Sequence, residues 1–328
     1  MFKLQDFRTS RNVLDDKKLN FLNIYKIKWD EIHNKSDVFR YRIDNLRERI
    51  VDGKYLLQLN PHRSTKRRAP EQIHDICQPF DKNKFNFTKV SRDEIIFTFT
   101  ENDDEENEHA LLVNVSPISR YHSLLCPLLK RCLPQILTAD SLQLAIDIIF
   151  LSEDRDLRIG FNSLCGLASV NHLHYHLFIE NNVLPVETVK CNHIKGPVYS
   201  LSNDYPVPAF CFEVTPQSVN PSGIIFRLIE VLLNKSIAHN IFITHGQRVT
   251  GDSNREDIVR VIIWPRKSSS GTKQLSHFNV AVCELSGWFP IYDEDIFEYI
   301  QTEELETELK KWKYENFAKL CEEIKELY

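Results

Sequence analysis

The chain has 328 residues, of which 42% are apolar and 27% charged, and 41 Lys and Arg against 46 Asp and Glu give a net charge of −5. This is the balance of a folded globular protein, and it lacks the basic excess that nucleic-acid binding calls for. No apolar run approaches the ~18 residues of a membrane span, and the opening Met-Phe-Lys-Leu-Gln-Asp has no apolar signal-peptide core.

The pattern from residue 11 to 35, with Leu19, Leu22, Ile24, Ile27, Trp29 and Ile32 among charges, predicts an amphipathic helix. Short apolar runs around Asp52-Gly53, within 39–60, predict strand and turn. Residues 62–68 (H-R-S-T-K-R-R) read as a basic loop, either a solvated surface or a phosphate-attracting rim. Strands are expected at 85–88 and 94–99, around an acidic hairpin tip at 102–108, then at 111–115 and 123–126. Thr138 is a natural N-cap, with Asp140 in the first turn, for a helix to about Leu151. A strand at 159–162 follows.

In the second half, Asn220-Pro221 opens a helix to about Asn234. Strands are expected at 240–244, 259–264 and 278–284. A single long helix is expected over 302–327, with Leu305, Leu309, Trp312, Leu320, Ile324 and Leu327 on its apolar side. Sheets layered by helices in this order make an α+β fold. With no Gly/Ser/Pro linker between halves, one compact unit is expected. The eight cysteines form no C-x-x-C pair, which fits reduced thiols and a cytoplasmic protein.

The most informative segment is N-H-L-H-Y-H-L-F, residues 171–178. On a strand His172, His174 and His176 would share one face, roughly 6.6 Å apart. Buried imidazoles need partners, so three together are hard to explain by packing. Neutral imidazoles on one face suit a metal. Alternatively, the middle one attacks phosphorus while its neighbours fix its tautomer. The surroundings favour the nucleophile. Asn162, Ser163, Ser169 and Asn171 are uncharged hydrogen-bonding groups suited to a phosphate, and the nearest carboxylate is Glu180.

H-L-H-Y-H-L-F resembles the signature of the histidine-triad (HIT) superfamily. The segments F-R-Y-R (39–42), Q-L-N (58–60), F-N-F-T-K (85–89), N-V-S-P (114–117), G-F-N-S-L-C-G-L-A-S-V-N-H-L-H (160–174), A-H-N (238–240) and F-N-V-A-V-C-E-L-S-G (278–287) resemble the GDP-hexose phosphorylases. These comprise the GDP-D-glucose phosphorylases and the plant GDP-L-galactose phosphorylases, in the GalT-like branch. The resemblance implies two fused HIT-like halves with an antiparallel sheet layered by helices. The expected divisions are a helical extension at 1–38, a catalytic half at 39–200 and a degenerate half at 201–328.

It also implies nucleotidyl transfer: GDP-glucose and inorganic phosphate become GDP and glucose 1-phosphate through GMP carried on His174. His172 would orient that nucleophile, and Asn162, Ser163, Ser169 and Asn171 with backbone amides would hold the phosphate. His122 would brace the triad, and Lys89, Arg266 and Lys267 are candidate phosphate or sugar contacts. No metal or cofactor is called for, and a monomer or weak homodimer is expected. The plant relatives carry glutamine at the third triad position, where this chain has His176. HIT hydrolases have histidine there, so hydrolysis is the alternative activity. A nucleotide-binding regulator is a further alternative.

Overall fold

The computed structural model describes residues 2–4, 20–35, 37–67, 71–100, 104–152, 154–250, 257–269 and 278–328. In chain order its elements are β1 (Phe2–Lys3), α1 (Phe21–Asn34), β2 (Arg47–Val51), β3 (Tyr55–Leu59) and α2 (His62–Lys66), then β4 (Ile95–Thr100), β5 (His109–Val113) and β6 (Ser123–Cys126). Next come α3 (Ala139–Leu151), β7 (Leu157–Asn162), β8 (Tyr175–Ile179), α4 (Pro185–Thr188), β9 (Cys191–Lys195), β10 (Val198–Leu201) and β11 (Phe210–Val214). The chain closes with α5 (Pro221–Asn234), β12 (His239–His245), β13 (Val259–Pro265), α6 (Val282–Ser286), β14 (Trp288–Ile291), α7 (Glu294–Tyr299), α8 (Thr302–Lys310) and α9 (Phe317–Leu327).

The topology shows an internal duplication. β4-β5-β6-α3-β7-β8 forms a sheet in the spatial order 4-5-6-8-7, and β9-β10-β11-α5-β12-β13 repeats it as 9-10-11-13-12. The inner edges β7 and β12 pair antiparallel, Asn162 opposite Asn240, which fuses both units into one eleven-stranded sheet with β1 added at the β4 edge.

Strand alternation sends every second residue to each face. Ile159 and Phe161 of β7, Tyr175 and Leu177 of β8, Ile241 and Ile243 of β12, and Val261 and Ile263 of β13 join the core under α3 and α5. The other face is treated differently in the two units. In the second, Phe242, Ile262 and Trp264 pack under a small sheet, β14-β3-β2, together with α6 and α8. In the first, Leu112, Leu124 and Cys126 pack in a smaller cluster with Ala110, Phe87, Leu129 and Val170, edged by Phe85, Val90 and Ile95, and a cleft stays open beside them.

Local signals account for most boundaries. Thr138 Oγ1 accepts from Ser141 N (3.1 Å) and starts α3. Asn220 Oδ1 accepts from Gly223 N (3.2 Å), with Pro221 in the first turn, and starts α5. Asp52 and Gly53 have φ of +49° and +64°, the left-handed pair that joins β2 to β3.

Four expectations are corrected. Residues 85–88 are not a strand: Asn86 accepts from Thr88 N (3.2 Å) and caps a short 3-10 turn, Phe87–Lys89. Residues 278–284 are not a strand either: the Glu284 carboxylate accepts from Ala281 N (2.9 Å), closing the first turn of α6. The 302–327 helix is two, α8 and α9. Between them Trp312 folds back, its carbonyl accepting from Lys267 N (3.0 Å) and its ring lying 4.6 Å from the Arg266 guanidinium. The basic segment at 62–68 is helical as α2, Arg68 lying outside the described residues. The first helix is confirmed as α1, capped by Asn20, while residues 11–19 of that reading lie outside the described residues. The strands β9, β10, β11 and β14 carried no signal that the sequence reading used.

Candidate active site

The histidine strand is regular only from Tyr175. His176 sits in the ladder, opposite Leu124 of β6 and Gly160 of β7. His174 lies just before it, and its backbone is gripped by a buried amide. Gln135 Oε1 accepts from His174 N (2.8 Å), while Gln135 Nε2 donates to the carbonyls of His174 (3.0 Å) and Asn162 (2.9 Å). The His174 ring lies 2.7 Å, through Nδ1, from the His172 carbonyl. A carbonyl only accepts, so Nδ1 carries the proton and Nε2 holds the lone pair.

The His172 ring faces away from the cleft. It packs against Phe80 and Phe87 at 5.4 and 5.6 Å, and its Nδ1 accepts from Phe87 N (3.1 Å). Burial lowers its pKa to about 4, so it stays neutral. What His172 presents to His174 is its carbonyl.

Behind His176 lies His122. Its Nδ1 accepts from Ile118 N (2.9 Å), which leaves its proton on Nε2, 3.0 Å from His176 Nδ1. His176 therefore accepts at Nδ1 and keeps its own proton on Nε2. Full burial, reinforced by the neighbouring His176 and Arg63, holds His122 well below the ordinary histidine pKa.

His174, His176, Asn162 and Ser169 all line the cleft. Asn162 is held by its carbonyl side: Oδ1 accepts from Asn240 Nδ2 (2.5 Å) and Val282 N (3.0 Å), which turns Nδ2 outward as the donor. Other candidates are not brought there. Ser163 Oγ donates to the Leu164 carbonyl (2.9 Å) and accepts from His239 N (2.9 Å), stitching β7 to β12. Asn171 donates to the carbonyls of Gln78 and Pro79 (2.9 Å each) and accepts from Gln135 N (2.9 Å), so its side chain is structural. Lys89 Nζ donates to the Lys84 and Asn83 carbonyls at the surface. Lys267 is exposed and outside the cleft.

Arg266 is 1% exposed and reaches the site only through an intermediary. Its Nη1 donates to Asn240 Oδ1 (3.0 Å), the same amide whose Nδ2 holds Asn162. Burial lowers its pKa to about 9.

The cleft also contains residues that the sequence did not single out: Asn114, Glu94, Asn279 and Glu284, with Arg63 and Arg67 from the basic segment. Of its two readings, the rim fits these two arginines. Arg63 Nη1 donates to the Ser116 carbonyl, which ties the segment to N-V-S-P. The loop after β7 is strained, with Cys165 and Leu167 at φ of +57° and +76°, and Leu167 forms part of the cleft wall. No helix among the described residues is long and apolar enough to cross a membrane.

Comparison with known proteins identifies the family. The family described as "GDPGP1-like, N-terminal domain" matches residues 20–178, and "GDPGP1-like, C-terminal domain" matches residues 183–328. GDP-D-glucose phosphorylase 1 of Danio rerio is 38% identical over 291 residues, covering 87% of this chain and 84% of the relative. The Homo sapiens protein of the same name is 38% identical, covering 77% and 69%. GDP-L-galactose phosphorylase 2 of Arabidopsis thaliana is 29% identical, covering 82% and 67%. In fold, the chain is similar to yeast Ap4A phosphorylase in its complex with AMP, at a TM-score of 0.62 and 14% identity over 90% of this chain and 96% of that one. With both of its halves matched, the chain belongs to the GDPGP1-like family.

Proposed function

We propose that this chain is a nucleotidyltransferase that phosphorolyses GDP-D-glucose, yielding GDP and glucose 1-phosphate. The observation that carries the reading is the 2.7 Å contact between His174 Nδ1 and the His172 carbonyl. A carbonyl only accepts, so Nδ1 carries the proton and the lone pair is on Nε2. Nε2 attacks the α-phosphorus of GDP-glucose, the bond to the bridging oxygen breaks, and glucose 1-phosphate leaves with that electron pair. GMP remains on Nε2. A phosphate oxygen then attacks the same phosphorus, the P–N bond breaks, and GDP departs. As the ring becomes cationic, the hydrogen bond to the His172 carbonyl strengthens, which favours the transition state over the ground state. Asn162, with its outward Nδ2, and the arginines at 63 and 67 line the same cleft as His174, which supports their giving hydrogen bonds and positive charge to the non-bridging oxygens.

Both units contribute to the cleft: Asn279 and Glu284 come from the second, His174 and Glu94 from the first. Having both halves of one chain in the cleft supports a monomer or weak homodimer. The catalytic half is best divided from its degenerate partner near residue 180, because a cut at 200 would fall inside β10, which pairs with β11. The free state of the eight cysteines supports a cytoplasmic setting. The test is a panel of nucleoside diphosphate sugars with and without phosphate, following sugar 1-phosphate and nucleoside diphosphate. GDP-glucose turnover that needs no phosphate would overturn the reading.

Hydrolysis stands second, favoured by His176 with His122 behind it. Phosphate dianion attacks without losing a proton, whereas water must lose one, and His176 can take it only in the tautomer with its own proton moved from Nε2 to Nδ1, on the His122 side, a role that no glutamine amide can fill. His176→Gln is therefore expected to suppress GMP formation more than GDP formation. Quantifying both products from GDP-glucose at matched phosphate checks this. An unchanged or lower GDP-to-GMP ratio would show that His176 does not admit water.

A further inference from the structure

An apolar row leads away from the triad, with its Leu124 and Leu112 lining the cleft. His176 lies opposite Leu124, Leu124 opposite Leu112, and Leu112 opposite Ile95, all on one face of the sheet. At about 4.8 Å per strand the row spans roughly 14 Å. Phe87, Val90 and Val170 wall it, the Phe87 ring lying 5.0 Å from that of His174. At its far end, next to Ile95, is Glu94. Ser91 N donates to Glu94 Oε1 (3.1 Å), and Oε2 has no hydrogen-bond or ion-pair partner among the described residues. An ionised carboxylate has about four acceptor positions, so most of them remain open to the cleft.

A carboxylate in a phosphate-binding cleft is repulsive unless it faces donors, and here the cations Arg63 and Arg67 come from a different segment of the wall. If His174 holds the α-phosphorus, a nucleoside laid along the row passes its ribose over Leu124 and Leu112 and brings the outer edge of its base to Glu94. Guanine presents two adjacent donors there, N1–H and the 2-amino group. Adenine and cytosine turn a ring-nitrogen lone pair toward the carboxylate, and uracil flanks its single N–H with two carbonyls.

We propose that Glu94 is the residue that selects guanine, accepting N1–H and the 2-amino group at the end of this slot. The inference rests on the GDP-hexose reading above and extends it to the base. Glu94→Gln keeps an oxygen for Ser91 N and so preserves the turn, while placing an amide NH2 in the slot. The experiment measures phosphorolysis of GDP-glucose, its inosine analogue IDP-glucose, ADP-glucose and 2′-deoxy-GDP-glucose by wild type, Glu94→Gln and Glu94→Ala.

Wild type is expected to prefer GDP-glucose over IDP-glucose by about 10- to 100-fold in kcat/KM, the effect of one hydrogen bond to a charged group. Both variants should lose most of that preference, and Glu94→Gln should narrow the gap between GDP-glucose and ADP-glucose. Three results would overturn the assignment: a wild type indifferent to the 2-amino group, variants that keep the GDP-to-IDP ratio, or variants that lose only the preference for ribose over 2′-deoxyribose. A wild type that does not turn over GDP-glucose at all would instead refute the functional reading on which the assignment rests.

Discussion

His174→Ala is expected to abolish phosphorolysis while the chain stays folded. Without Nε2 there is no atom to carry GMP, so the two-displacement route is removed outright. The rate should fall by about four decades or more, at about 1.4 kcal/mol per decade. The His174 ring touches Phe87 and His176 and donates to the His172 carbonyl at the cleft wall, so its loss should affect folding far less than activity. Thermal unfolding alongside steady-state rates separates the two effects. A folded His174→Ala protein with more than a few per cent of wild-type activity would contradict the assignment.

Gln135→Leu is expected to produce the largest effect from outside the triad. Gln135 is 1% exposed, and its amide grips both the N–H and the carbonyl of His174. A leucine of similar size leaves these groups buried and unsatisfied, at a cost of about 1–3 kcal/mol each. Stability should drop by about 2–5 kcal/mol on that basis. As His174 is no longer held in line with the cleft, kcat should fall by about two decades, since a misplacement of about 1 Å costs that much. Gln135→Glu keeps the acceptor for His174 N but sets a buried carboxylate oxygen against the carbonyls of His174 and Asn162, so it should be at least as destabilised. Denaturant unfolding and kcat on both variants check this. Wild-type stability in Gln135→Leu would show that His174 is positioned by something else.

Much of the site was legible because strand alternation is a strong constraint. Tyr175 and Leu177 go to the helical core, so His174, His176 and Phe178 must go to the other face. His122 was also legible, and β6 places it within 3.0 Å of His176. Closeness in sequence misled elsewhere. Ser163 and Asn171 flank the site in the chain, yet their polar atoms are used up on backbone groups that an irregular loop leaves unpaired. Gln135 was invisible for the converse reason: it stands 39 residues from His174 in a stretch, L-P-Q-I-L, with no periodicity to mark it. Arg266 is a candidate phosphate or sugar contact in the sequence by its charge alone. The structure buries it against the Trp312 ring, with carbonyl and amide acceptors in place of a phosphate. The split of α8 from α9 escaped because both segments share one apolar periodicity, and tertiary contacts at Trp312 and Lys313 break it.

The central claim is that GMP is carried on Nε2 of His174. It is tested most directly by mixing the protein with GDP-glucose labelled at the α-phosphorus in the absence of phosphate, quenching in alkali and mapping the modified peptide by mass spectrometry. The expected result is one GMP per chain, on His174, stable in alkali, lost in acid, and converted to GDP when phosphate is added before the quench. A protein that makes GDP from GDP-glucose and phosphate yet never carries label, or carries it on a residue other than His174, would contradict the account.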